Sequence, residues 1–266
     1  PTAESFNGFN DFINNTIVPL LLGSCEDRSW RVRWTVASHF GDVIDSLTNN
    51  SKTPLPLPIL EAFEKLLGDQ ESEVRTAAVS HLPKVYGSSP NEGRLLELLP
   101  TLAKDESSYV RAGLAGVVCE LGAVVGRDKA VEGILPVLLG LLRDGDSDVR
   151  LNLIGGLGGL NEVVGVELLS SSLLPAVVEL AEDGKWRVRL AIIEEVPRLA
   201  KELGVNFYQE KISPLCLSWL GDEVSSIRSA AARNLEELAK LFGSEWAVDN
   251  VLPTIQELCL HTSYER

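Results

Sequence analysis

The chain has 266 residues, with 24 Lys or Arg against 38 Asp or Glu, a formal net charge of −14. At 45% hydrophobic and 23% charged it has the composition of a folded protein long enough to bury a core, which excludes a disordered or low-complexity chain. The acidic balance argues against a domain-sized binder of nucleic-acid phosphates, which needs clustered cation excess, and points to a protein partner.

Cys25, Cys119, Cys216 and Cys259 are far apart, form no CxxC pair and have no histidine at ligand spacing, so neither a zinc site nor a disulfide framework is expected. A reducing compartment fits. No run of 18 or more apolar residues occurs, and Pro1 opens a stretch without the basic and apolar regions of a signal peptide. The expectation is a soluble intracellular chain without a membrane span. The absence of Met, even as an initiator, suggests a fragment.

Along the chain one signature, Asp-x4-[Val/Ile]-Arg, recurs six times, pairing Asp27 with Arg33, Asp69 with Arg75, Asp105 with Arg111, Asp144 with Arg150, Asp183 with Arg189 and Asp222 with Arg228. Successive arginines lie 42, 36, 39, 39 and 39 residues apart, the period of two-helix repeats of the HEAT and armadillo kind. Pro19, Pro136, Pro175 and Pro214 each precede their Asp by eight residues, and Pro253 begins a seventh copy. Apolar residues at helical spacing flank each signature, so each unit reads as helix, turn, helix. The predicted fold is all-α, an α-α superhelix forming one solenoid with repeats at about 1–50, 51–87, 88–126, 127–165, 166–204, 205–243 and a partial 244–266.

The Asp falls where the first helix ends and the second begins, so its carboxylate can accept from free backbone N–H groups there. The Arg, one turn into the second helix, can reach the Asp of its own or of the adjacent repeat, which predicts a ladder of paired charges. Six copies argue for a structural motif, because an active site occurs once.

The remaining candidates for chemistry are weak. Asp144-Gly145-Asp146-Ser147-Asp148 opens like a calcium loop, but Val149 and Gly155 stand where that loop requires Gly and Glu. Gly155-Gly156-Leu157-Gly158-Gly159 falls inside a second helix and not between a strand and a helix, so it does not cradle phosphate. It is either a flexible point or a place of close helix approach. His39, His81 and His261 belong to no catalytic motif. No catalytic residue, metal site or cofactor is expected, and the chain is expected not to be an enzyme.

The anomalous residues lie in two turns. Trp30-Arg31 and Lys185-Trp186-Arg187 place an aromatic and an extra cation before the Val-Arg pair, where other copies carry Glu73, Tyr109, Asp148 and Ser226. Such turns have hot-spot composition for a protein partner, with packing of each Trp on a neighbouring turn as the alternative. Trp34, Trp219 and Trp246 fall on helix faces and are expected in the core.

From Leu173-Leu174-Pro175 through Asp183-Gly184-Lys185-Trp186-Arg187-Val188-Arg189 to Leu190-Ala191-Ile192-Ile193-Glu194, the chain closely resembles the scaffold (A) subunits of protein phosphatase 2A. The resemblance continues through Trp219-Leu220, Ile227-Arg228 and Glu245-Trp246-Ala247 and begins at Ser29-Trp30-Arg31-Val32-Arg33; residues 1–16 and 48–100 match least. It implies a central fragment of a non-catalytic scaffold; the compartment expected is the cytoplasm, with the nucleus as a second. On this resemblance Trp30 and Arg31 face a B-type regulatory subunit, and Lys185, Trp186 and Arg187 face the catalytic subunit. Ser225 departs from the aromatic often found at its position. No nucleic acid, membrane or small-molecule substrate is implied. The alternative is another HEAT adaptor, such as a nuclear-transport or chromosome-organising protein.

Overall fold

A computed structural model describes residues 13–48, 55–88, 92–157, 165, 175–205, 208–253 and 255–256, and among these there is helix and turn but no strand. The chain divides into two compact units, Pro1–Gly159 and Leu160–Arg266.

In the first unit the first helices of successive repeats are Val18–Cys25, Leu57–Leu67, Glu92–Leu102 and Leu135–Leu141. Their second helices are Trp30–Ser38 with Phe40–Thr48, Ser72–Val79 with Leu82–Gly87, Ser108–Val125, and Ser147–Ile154. In the second unit, helical residues 175–181 precede Trp186–Leu203, and Ser213–Ser218 precedes Ser225–Phe242, followed by Ser244–Asn250. Stacking supplies the core: the apolar residue before each motif arginine, Val74, Val110, Val149, Val188 or Ile227, is fully buried. Val32, in the first of the described repeats, is 38% exposed.

Proline shapes both helices of a repeat. Pro19, Pro136 and Pro214 sit at the start of their helices, each behind a π-turn, Ile13–Ile17, Ala130–Ile134 or Tyr208–Ile212. The wider turn gives room where the ring would crowd a preceding carbonyl. In the second repeat Pro83 cannot donate to the carbonyl four residues earlier, and Ser72–Val79 ends at that residue.

Long second helices end at Gly126, Gly204 and Gly243, where φ is 82°, 87° and 94° and ψ is near 165°. This region of backbone space is essentially restricted to glycine. Gly165, with φ 85°, keeps the same 39-residue register.

Two expectations are corrected. The glycine run does not lie inside a helix: Ser147–Ile154 ends before it, Gly155 is the cap, and Gly156 lies in the following turn. Gly158 and Gly159 lie outside the described residues. Trp34 is 43% exposed and not in the core, whereas Trp219 and Trp246 are buried.

Ser108–Val125, with mean hydropathy 1.4, is long and apolar enough to cross a membrane by length and composition alone, although the sequence suggested no such segment. It packs against Ser72–Val79, Leu82–Gly87 and Ser147–Ile154, and Arg111 in its first turn is ion-paired, so the repeat stack accounts for its composition.

Candidate functional site: the turn ridge and its two tryptophans

Each motif Asp accepts at Oδ1 from the backbone N–H two residues on: Ser29 for Asp27, Glu71 for Asp69, Ser107 for Asp105, Asp146 for Asp144, Lys185 for Asp183 and Val224 for Asp222. That residue is the N-cap of the second helix, so the carboxylate closes the turn before the cap and does not cap the helix itself.

The arginine reaches both ways. Its Nη1 donates to the backbone carbonyl of its own motif Asp, at 2.7–2.8 Å for Arg33, Arg75, Arg111, Arg189 and Arg228, and Arg150 makes the same bond to Asp144. The other edge of the guanidinium takes the next repeat's carboxylate. Arg33 holds Asp69 at 2.6 and 2.9 Å, Arg75 holds Asp105 at 2.8 and 2.7 Å, and Arg111 holds Asp144 at 2.7 and 3.0 Å. In the second unit Arg189 holds Asp222 at 3.2–3.3 Å. Only arginine's planar fork serves a carbonyl and a bidentate carboxylate at once.

These rungs are largely buried, with side chains 8–18% exposed. Burial alone would raise the carboxyls of Asp69, Asp105 and Asp144, but the paired guanidinium and the backbone N–H outweigh it and hold all three below their ordinary value. Their partners Arg33, Arg75 and Arg111 are held above theirs, first by the hydrogen bond to carboxylate. The arrangement is an inter-repeat brace.

The two anomalous turns have matching geometry. Trp30 and Trp186 are the first residues of their helices and are half-buried. The exposed guanidinium of Arg31 lies 4.8 Å over the Trp30 ring, and that of Arg187 lies 4.7 Å over the Trp186 ring. Lys185 is the exposed N-cap beside Trp186. Each turn therefore offers an aromatic face held by its own cation, an arrangement a partner can desolvate. In the third repeat Ser108 stands at the register of the tryptophans and Tyr109, 76% exposed, at that of Arg31 and Arg187, so an exposed aromatic there is offset by one residue from the other two.

Among the described residues no group of three or more His, Cys, Asp or Glu is placed to hold a metal. Burial pushes the thiols of Cys119 and Cys216 up to about 12 and, with the Glu26 charge as a smaller cause, that of Cys25 up to about 11. They are packing residues at neutral pH; Cys259 lies outside the described residues. His81 Nε2 donates at 3.0 Å to the Ser38 carbonyl of the preceding repeat, which makes it a seam residue.

The HEAT repeat family pattern matches residues 17–47 and 212–242. Solved structures agree on the fold. The chain superposes with TM-score 0.66 over 96% of its length and 34% of the other chain on a structure describing Kap95p binding to RanGDP, at 16% identity. A Kap121p mutant gives 0.62 over 88% of this chain and 24% of that one, at 17% identity, and a designed armadillo repeat protein for modular peptide recognition gives 0.53 over 83% and 99%, at 16%. The fold is all-α, of the stacked-helix kind found in HEAT and armadillo repeat structures. A curated human relative, the beta isoform of the 65 kDa regulatory subunit of serine/threonine-protein phosphatase 2A, is 41% identical over 84 residues, 29% of this chain. The match spans 14% of that relative's length.

Proposed function

We propose that this repeat protein is a non-catalytic scaffold of a phosphatase 2A-type serine/threonine phosphatase, using Lys185, Trp186 and Arg187 to hold a catalytic subunit, with Trp30 and Arg31 holding a B-type regulatory subunit. The observation that carries the reading is the pair of turns in which a half-buried indole lies beneath its own exposed guanidinium. Repetition of that geometry suits two docking points, one in each compact unit. The 41% match to the human phosphatase 2A relative supports the identity of the partners.

The test is affinity for purified phosphatase catalytic subunit, measured with the full chain. Trp186→Ala with Arg187→Ala is expected to weaken binding at least tenfold, about 1.4 kcal/mol, with an unchanged helical circular-dichroism spectrum. A loss below about 1 kcal/mol returns both residues to local packing. Failure of the wild-type chain to bind, with capture of a nuclear-transport cargo instead, favours the karyopherin-like adaptor.

A further inference from the structure

Each motif arginine is fixed from its Nη1 by a carbonyl of its own turn, and in Arg33, Arg75, Arg111 and Arg189 the opposite edge takes an aspartate of the next repeat. Arg228 has the first half of this arrangement. Its Nη1 donates to the Asp222 carbonyl at 2.8 Å and to the Glu223 carbonyl at 3.0 Å, which holds the guanidinium in place in the first turn of Ser225–Phe242. Its Nε and Nη2 meet no carboxylate among the described residues. Arg228 is half-buried, and this second edge reaches the surface.

The sequence shows the same break. Asp105, Asp144, Asp183 and Asp222 follow one another at intervals of 39 residues, and the next position in that register is His261. Pro253 keeps the register, standing eight residues before His261 as Pro136, Pro175 and Pro214 stand before their aspartates. An imidazole brings no carboxylate to a guanidinium, and in its charged form it has only donors to offer. His261 itself lies outside the described residues.

We propose that the Nε–Nη2 edge of Arg228 is a binding site for a carboxylate side chain, aspartate or glutamate, presented by a partner protein. A guanidinium has donors and no acceptor, so its ligand must accept, and a planar carboxylate takes the two parallel N–H bonds as Asp69, Asp105 and Asp144 do. The two carbonyl bonds already restrict the side chain, so pairing here orders less than it would on a free surface arginine. Phosphate also matches the fork. Its second charge is disfavoured beside Asp222 and Glu223 of the same turn, on a chain of net charge −14. Lys185, Trp186 and Arg187 stand in the turn one repeat earlier, and packed helices lie about 8–10 Å apart, so one partner spans both turns. The chemistry of the fork stands by itself, and only the partner's identity rests on the phosphatase reading.

The probe is the α-amide of N-acetyl-aspartic acid, which carries one carboxylate, titrated into the full chain while the arginine Nε–Hε resonances are followed by NMR. Arg228 is assigned by the resonance that Arg228→Lys removes. Its signal is expected to shift and saturate, while those of Arg75 and Arg111, whose forks are filled, stay in place; the asparagine analogue is expected to move none of them. His261→Asp, which returns a carboxylate to the motif register, is expected to abolish the shift. A full shift in that variant overturns the site, and so does a wild-type shift no larger than those of the exposed Arg28 and Arg31. A larger response to inorganic phosphate at equal concentration overturns the choice of a carboxylate. Arg228→Gln is expected to weaken binding of purified phosphatase catalytic subunit about fivefold with an unchanged circular-dichroism spectrum, and unchanged affinity overturns the placing of this partner's carboxylate on the fork. A wild-type chain that fails to bind that subunit while aspartate still shifts Arg228 removes the phosphatase reading and supports the site.

Discussion

At the scale of the residue, the ladder arginine is valuable because it is already committed on its other edge. Arg75 is held by the Asp69 carbonyl at 2.7 Å and cannot swing into solvent when the Asp105 carboxylate is removed. Asp105→Asn is therefore expected to cost about 3 kcal/mol in urea unfolding, chiefly the penalty of an uncompensated buried charge. A loss below about 1 kcal/mol would mean that the guanidinium re-solvates freely. The pH dependence has a definite sign. Asp69, Asp105 and Asp144 bind protons less readily folded than unfolded, so their contribution is complete above the ordinary carboxyl value of 3.8 and is lost as pH falls through the lower folded values. Acid titration of stability is expected to be steep below about pH 4, and shallower in Asp105→Asn; an equal acid limb in both would remove this rung from the acid response.

At the scale of the element, the helices were legible because each repeat carries the same punctuation. Asp marks the turn, Arg marks the first turn of the second helix, and Pro marks the start of the first. Which Asp each Arg engages was not legible, since own and adjacent carboxylates are equally available to a one-dimensional reading. Nor was the exposure of Trp34, because helical spacing alone does not say whether a neighbouring helix covers a given face. The bond from Asn234 Nδ2 to the Ile193 carbonyl escaped because that carbonyl is released by Pro197, a coincidence of two repeats. The glycines at 126, 165, 204 and 243 share the 39-residue register, yet 22 glycines in the chain hide it. Their backbone makes the test. Gly204→Ala, at φ 87°, is expected to cost about 1–3 kcal/mol. Gly116→Ala, inside Ser108–Val125 with nothing within 4 Å of the added carbon, is expected to gain about 0.8–1.0 kcal/mol. Thermal unfolding of the two variants checks both, and equal effects would sink the distinction.

At the scale of the whole molecule, stability in a repeat stack is a sum of repeat and nearest-neighbour terms, so damage stays local wherever coupling is weak. The division after Gly159 follows closely on the end of Ser147–Ile154, eight residues long where Trp186–Leu203 has 18. Gly156 is not free to be stiffened, because an added carbon there would lie 3.1 Å from Cys119 Sγ, whereas Gly155 meets only a carbonyl at 3.9 Å. Amides of residues 152–157 are accordingly expected to exchange faster than those of residues 192–200, and Gly155→Ala is expected to slow them without loss of folding. Nearest-neighbour coupling should confine the effect of a broken rung. Asp105→Asn is expected to lower hydrogen-exchange protection across residues 72–121 while leaving residues 190–238 unchanged, because the lost coupling joins two repeats of the first unit alone. A uniform fall in protection along the chain would instead mean that unfolding is cooperative over its whole length, and nearest-neighbour coupling would not describe it.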